Sequence, residues 1–209
     1  MVKANLILVG AGGHSRSCID AIEQQGNYTI GGLVGLSQEV SLDQFGYKVL
    51  ATDSELGELA RKFPYALISL GQITSPEIRI HLFEKALELG FIFPTIIVPS
   101  AYVSPYSTIG AGTIIMQGAI VNAGAVIGEN CIINSRAVVE HDSRVESHCH
   151  ISTGVILNGN TTIGKGSFIG SGATIKEGVS IGAGSLVGMG LAVRHDLVEH
   201  SKFLGTRTS

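Results

Sequence analysis

From about Pro94 onward an aliphatic residue returns at every sixth position: Ile97, Val103, Ile109, Ile115, Val121, Ile127, Ile133, Val139, Val145, Ile151, Leu157, Ile163, Ile169, Ile175, Ile181, Val187 and Val193. Two places before most of these stands a small residue, as at Ala101, Ala119, Cys131, Ala137, Cys149 and Ser167, so a second column faces inward. A phase held this long is the hexapeptide signature of a parallel β-helix, whose coils stack at the inter-strand spacing of ~4.8 Å and bury a continuous aliphatic ladder. Glycine or asparagine often follows the aliphatic residue, as at Gly110, Asn122, Gly128, Asn158 and Gly170. These positions are expected to form the corners, where positive φ is needed.

The first 93 residues lack that period and alternate short apolar runs with helical patterns. "ANLILVG" reads as a buried strand, and "HSRSCIDAIEQQG" as a helix that buries Cys18, Ile19 and Ile22 and stops at Gly26. "YTIGGLVG" and "YALISLG" read as further strands, with Thr52 and Glu55 opening a helix over "DSELGELARKF" between them. Ser75 and Pro76 start another helix, which Gly90 ends. The expected organisation is a small Rossmann-like α/β sheet over residues 1–93, a left-handed β-helix over 94–195 and a tail over 196–209. A ligand of the first domain belongs at the carboxyl ends of its strands.

Composition narrows the function. Net charge is -3 with no Lys/Arg-rich run, which gives a nucleic acid or an anionic membrane surface nothing to bind. No apolar run approaches the ~20 residues of a membrane span, so a cytoplasmic protein is expected. The 28 glycines and 15% charged residues favour tight turns over long solvated helices. Cys18, Cys131 and Cys149 are odd in number and widely spread, which suits reduced, packed thiols.

Two constellations carry chemistry. "GAGGH", Gly10 to His14, joins the first strand to the first helix and would present backbone N–H groups and a positive helix end to an anion. A dinucleotide fingerprint would need glycine where Ser15 stands, so NAD is not expected. In the coils, His141 follows the inward Val139 by two residues and faces out, flanked by Glu140 and Asp142. Either carboxylate could fix its tautomer and raise its basicity. His150 precedes the inward Ile151 and also faces out; the register leaves His148 open, and His81, His195 and His200 receive no role.

The GxGGH turn on a short βαβ domain, followed by unbroken hexapeptides carrying "VVEHD" and a second histidine nine residues on, resembles the left-handed β-helix acyltransferases of the sialic-acid O-acetyltransferase and bacillosamine N-acetyltransferase family. The resemblance covers nearly the whole chain. It implies a homotrimer that moves an acetyl group from acetyl-CoA to a sugar, commonly the 4-amino group of a UDP-linked amino-dideoxy sugar for glycan or nonulosonic acid synthesis. By the same resemblance His141 is the general base and Asp142 its acidic partner. His150, Gly159, Ser171 and Met189 contact acetyl-CoA, and Gly12, Gly13, His14 and Gly71 hold the sugar nucleotide. Ser37 and Gln38 stand where the family often places paired aspartates on the nucleotide, and the tail "FLGTRTS" replaces the usual ending.

The expected chemistry is direct transfer to an uncharged amine, with no metal. Cys149 faces inward, which argues against an acyl-cysteine. The alternatives are O-acetylation of a sialic acid or related sugar, a β-helix zinc enzyme of carbonic-anhydrase type with histidines shared between subunits, and a scaffold without catalysis.

Overall fold

The structure, a computed structural model, describes residues 3–205. Contacts divide it into two compact units: the chain up to Gly71 with Glu77–Val98, and Gln72–Pro76 with the chain from Pro99 onward.

The first unit is a five-stranded sheet flanked by helices. Strand β1 (Ala4–Val9) leads through the glycine turn into α1 (Gly13–Gln25), which ends at Gly26 with φ 75°. After β2 (Tyr28–Gly35) come the short β3 (Asp43–Gln44) and β4 (Tyr47–Thr52), then α2 (Leu56–Leu59), β5 (Tyr65–Ile68) and α3 (Glu77–Glu88). The order is β3-β4-β2-β1-β5, parallel except for the antiparallel β3–β4 hairpin. That hairpin is absent from the sequence expectation. Its strands are short, and its turn residues, Phe45 with φ 53° and Gly46 with φ 88°, carry no Asn-Gly or Asp-Gly signal. The helix expected over "DSELGELARKF" shrinks to a 3-10 turn at Asp53–Glu55 and the single turn of α2. Glu55 Oε2 nevertheless accepts the Thr52 backbone N–H at 2.9 Å, as the capping reading required. Ile7, Val9, Val34, Ile68, Phe83 and Phe93 form the core between sheet and helices.

The second unit is the left-handed β-helix. Its two-residue strands lie in three parallel sheets, one per prism face. Face I carries Tyr102–Val103, Ile120–Val121, Val138–Val139, Ile156–Leu157, Thr174–Ile175 and Ala192–Val193. Face II runs from Thr108–Ile109 to Ser180–Ile181, and face III includes Ile114–Ile115, Ile132–Ile133, His150–Ile151, Phe168–Ile169 and Leu186–Val187. Through Val193 partners are eighteen residues apart, as Val121↔Val139↔Leu157 show, so three hexapeptides make one coil. The last coil is two residues shorter, with Leu186↔Lys202 and Ile181↔Leu197, so part of the expected tail joins the β-helix. From Ile115 to Val193 every residue of the aliphatic ladder is at most 2 % exposed. Each contributes about 1.5–3 kcal/mol of apolar burial.

The corners differ from the expectation. Positive φ falls three residues after each inward aliphatic from Ile109 to Val187, at Gly112, Gly118, Gly124, Gly154 and their equivalents, rather than immediately after it. Asn130, Arg136, Asp142, His148 and Asn160 take the same left-handed conformation, with φ between 51° and 63°. The glycines directly after the aliphatic residue serve another purpose. A Cβ at Gly110 would stand 2.4 Å from the Gly128 carbonyl carbon, and one at Gly164 2.4 Å from the Ala183 nitrogen. They allow successive coils to approach.

The second inward column is polar where faces II and III meet. Thr113 Oγ1 donates to Gly128 O at 2.7 Å and accepts the Cys131 N–H at 2.9 Å. One coil on, the Cys131 thiol reaches Glu146 O at 3.1 Å, then Cys149 reaches Gly164 O at 3.1 Å, and Ser167 reaches Gly182 O at 3.1 Å. The cysteines are thus rungs of an internal ladder that satisfies corner carbonyls buried away from water. Burial raises the Cys149 thiol well above its usual range, which keeps it a donor. We predict that Cys149→Ser preserves stability to within about 1 kcal/mol, whereas Cys149→Val, which leaves the Gly164 carbonyl only the Ser167 N–H at 3.3 Å, costs about 0.5–1.5 kcal/mol more than the serine variant. Denaturant titration of the two variants makes the comparison.

Candidate active site

The corner between faces I and II places His141 and Asp142 at its tip. Asp142 holds φ 60°, in the column otherwise filled by Gly124, Asn160 and Gly178, so the carboxylate turns back onto its neighbour. His141 Nδ1 donates to Asp142 Oδ2 at 2.9 Å, with the two side chains 65% and 68% exposed. That bond puts the proton of neutral imidazole on Nδ1 and leaves the Nε2 lone pair free to accept. The Asp142 hydrogen bond raises the His141 pKa above its ordinary value; desolvation opposes this, and the charges of Asp142 and Glu140 add to it. Glu140 itself accepts the Asn122 side-chain N–H at 2.9 Å.

Two glycines eighteen residues to either side make room for this pair. A Cβ on Gly124 would stand 2.5 Å from Asp142 Oδ1, and one on Gly159 would stand 2.7 Å from His141 Nε2. Gly159 therefore lies against the free nitrogen of the imidazole. Beyond it on the same edge, Asn158, Thr174, Lys176, Glu177, Arg194 and His195 line a groove of about 490 Å³, a volume suited to a small-molecule ligand. Lys176 and Arg194 follow their strands at the same register position and were not singled out from sequence, because only the folded corner brings them together.

His150 stands on face III, away from the His141 corner. The ring points out of the coil, as the register requires, yet is only 7% exposed. Its Nδ1 donates to Gln72 O at 2.7 Å, and Nε2 accepts the Asn134 side-chain N–H at 3.1 Å. Phe168 meets the ring edge-on at 5.2 Å between centroids. Both ring nitrogens are thus spent within the chain, and Asn134, unassigned from sequence, is the amide that His150 orients. Gln72 is held in turn by its own bond to Gly166 O, at 3.1 Å. Ser171 and Met189 lie at the corner between faces III and I; Ser171 Oγ is 2.9 Å from Ser152 Oγ, and Met189 is 80% exposed. Within one chain the candidates therefore form two groups, His141, Asp142 and Gly159 at one corner and His150, Ser171 and Met189 on and beside face III. His148 is 3% exposed and its Nδ1 accepts from buried Asn130 at 3.0 Å, so it fills the corner between faces II and III.

In the first unit, Gly12 and Gly13 are exposed at the start of α1, and a Cβ on either would meet nothing within 4 Å. Gly71, past the end of β5, comes close to His14: a Cβ there would be 3.6 Å from that of the histidine. Ser37 and Gln38 form an exposed 3-10 turn after β2. Buried Arg79 donates to Ile68 O at 3.0 Å and Leu70 O at 2.5 Å, fixing the exit of β5 beside Gly10. Among the described residues no group of three His, Cys, Asp or Glu side chains is placed to hold a metal ion, and no helix is long and apolar enough to cross a membrane. Of the tail "FLGTRTS", residues 206–209 lie outside the described residues.

The acetyltransferase domain of PglB from Neisseria gonorrhoeae, solved with acetyl coenzyme A, is 33% identical, with 94% of this chain and 93% of that chain covered and a TM-score of 0.85. The chain belongs to the left-handed β-helix sugar acetyltransferases. A histidine mutant of perosamine N-acetyltransferase from Caulobacter crescentus, in complex with CoA and GDP-perosamine, is similar to this acetyltransferase at 31% identity, with coverage of 95% and 92% and a TM-score of 0.89. WeeI from Acinetobacter baumannii, at 18% identity and a TM-score of 0.71 over 94% and 95% of the chains, shares the fold. Family models match as PglD N-terminal domain over residues 5–86, bacterial transferase hexapeptide over 124–159 and hexapeptide repeat of succinyl-transferase over 160–194. No curated protein sequence matches.

The raised His141 pKa has a direct readout. In a proton NMR titration of the acetyltransferase, His141 should lose its proton at higher pH than a free imidazole, and Asp142→Asn should move that midpoint down. An unmoved midpoint would show that the bond seen here does not act on the ring.

Proposed function

We propose that this enzyme transfers the acetyl group of acetyl-CoA to the 4-amino group of a nucleotide-linked amino-dideoxy sugar, with His141 as general base. The observation that carries the reading is the His141–Asp142 pair, whose Nδ1 is tied to a carboxylate while Nε2 faces the space kept open by Gly159. The uncharged amine attacks the thioester carbonyl carbon, and Nε2 takes the proton that the nitrogen loses. The tetrahedral intermediate then expels the CoA sulfur, to which the imidazolium returns a proton. Asp142 holds the ring and stabilises its charged form. No acyl-enzyme is needed, and the protonated, inward Cys149 could not form one.

The first unit supplies the acceptor's recognition through the N–H groups of Gly12, Gly13 and His14, with Ser37, Gln38 and Gly71 around them. The coils supply acetyl-CoA binding. The groove beyond Gly159, with Lys176 and Arg194, suits a phosphate-bearing portion of the cofactor. The likeness to a perosamine N-acetyltransferase favours an amine over a hydroxyl as acceptor.

One chain does not complete the site in this reading. His141 and His150 are nine residues apart, half of an eighteen-residue coil, and so lie on opposite sides of the prism. A cyclic trimer would set the His141 corner of one subunit against face III of the next, giving three equivalent clefts. The outward column of face I supports an assembly: Tyr102 is 56% exposed, Ile120 37% and Ile156 40%, with Val138 between them. The corresponding column of face II is mostly polar, with Thr108, Arg144, Thr162 and Ser180. An apolar stripe of this kind marks a surface meant to be covered.

Thiol release from acetyl-CoA, followed over a panel of UDP- and GDP-linked 4-amino sugars and free sialic acids, tests the reading. His141→Ala should keep its melting transition and lose about 10²-fold or more in kcat, the usual contribution of a positioned base. Retained turnover would remove His141 from the mechanism. For the shared site, inactive His141→Ala and His150→Ala chains mixed under subunit exchange should recover activity, because some clefts then combine two intact halves. Demonstrated exchange without recovery would overturn the shared-site reading.

A further inference from the structure

We propose that Gln44 is a positioning residue for the acceptor's nucleoside diphosphate: its side-chain amide sets the peptide planes of the Gly10–His14 turn so that their N–H groups face the ligand. The inference rests on the reading of that turn as the acceptor's anion site. Gln44 lies on β3, thirty-three residues from the turn, and its Nε2 donates to Ala11 O. Its Oε1 is 2.9 Å from Ser15 Oγ, and that hydroxyl is 2.7 Å from Gly12 O. The Ser15 backbone N–H also reaches Gly12 O, at 3.1 Å.

A trans peptide is planar, with its C=O and the following N–H on opposite sides. Tying the Ala11 carbonyl to Gln44 therefore turns the Gly12 N–H the other way, and tying the Gly12 carbonyl to Ser15 does the same for Gly13. Both N–H groups belong to the end of α1 that has no intrahelical acceptor for them. In front of the two glycines the space is open. Left alone, a turn of such residues would sample many conformations and hold its donors poorly aligned. A primary amide can donate to a carbonyl from its nitrogen and accept from a hydroxyl at its oxygen at once. The hairpin that delivers it is braced, since Asp43 Oδ1 accepts the Gly46 N–H at 2.8 Å and Tyr47 Oη donates to Glu23 of α1 at 2.8 Å.

The test compares wild type with Gln44→Met, which keeps the length without the hydrogen bonds, and Gln44→Glu, which cannot donate when ionised. UDP and GDP are the probes, read by calorimetry and by the amide resonances of Gly12 and Gly13. Both variants should weaken binding of the preferred diphosphate roughly tenfold or more, the scale of a lost hydrogen bond with a misdirected donor behind it. The KM for the nucleotide sugar should rise in parallel, while the KM for acetyl-CoA and the thermal transition stay at wild-type values. A merely structural role would lower the folded fraction and leave both KM values unchanged. Should a Gln44 variant melt early, Ser15→Ala removes the hydroxyl that lies between Gln44 Oε1 and Gly12 O, leaves the Ser15 backbone bond in place and should show the same split to a smaller degree. Diphosphate binding and glycine resonances unchanged in all the variants would overturn the proposal. Wild type that binds neither UDP nor GDP would instead overturn the reading of the turn on which it rests.

Discussion

The pairing of each coil with the one eighteen residues away governs most of what this molecule can do. It places every inward aliphatic on another, aligns corner with corner and makes residues eighteen apart nearest neighbours. The environment of a corner side chain is thus decided by what stands one coil earlier and one coil later. His141 and Asp142 occupy an exposed tip without crowding because Gly124 and Gly159 stand at those places. The same rule turns Thr113, Cys131, Cys149 and Ser167 into one hydrogen-bonded column, although nothing in their immediate neighbours links them.

That rule also explains why the second unit was so legible in the sequence. In a solenoid each repeat touches only its neighbours, so a local period already states the tertiary contacts. The outward direction of His141 and the inward direction of Cys149 follow from counting. What counting could not separate were the two uses of glycine, left-handed backbone at one corner position and close coil approach at another, since both leave the same letter. The burial of His150 was also out of reach. It depends on Gln72, seventy-eight residues away, in a stretch that packs with the coils. In the first unit the glycine turn was legible as a motif, but the hairpin bearing Gln44 was not, because its contact with Ala11 joins segments that no periodicity relates.

The two units work with different materials. The sheet unit offers backbone N–H groups at a helix start, with Gln44 bound to the Ala11 carbonyl and Ser15 to the Gly12 carbonyl behind them. The coils offer side chains on a repeating frame, with a carboxylate and an imidazole in adjacent positions of one tight corner. The left-handed φ of Asp142 ties this pair to the repeating frame. A position that glycine usually fills bears a charged residue, whose carboxylate is thereby bent back onto the ring beside it.

The corner carrying this pair is stitched to the coils on both sides: Asp142 N–H donates to Ala123 O at 3.2 Å, and His141 O accepts the Asn160 N–H at 2.9 Å. Local opening of the corner would have to break both bonds and expose part of the aliphatic ladder beneath them, so its amides belong among the slowly exchanging ones of the fold. The imidazole is thus carried on backbone hydrogen-bonded to the coil on each side. In the proposed reaction, gating would fall to the ligands, to side-chain rotation or to parts outside this corner.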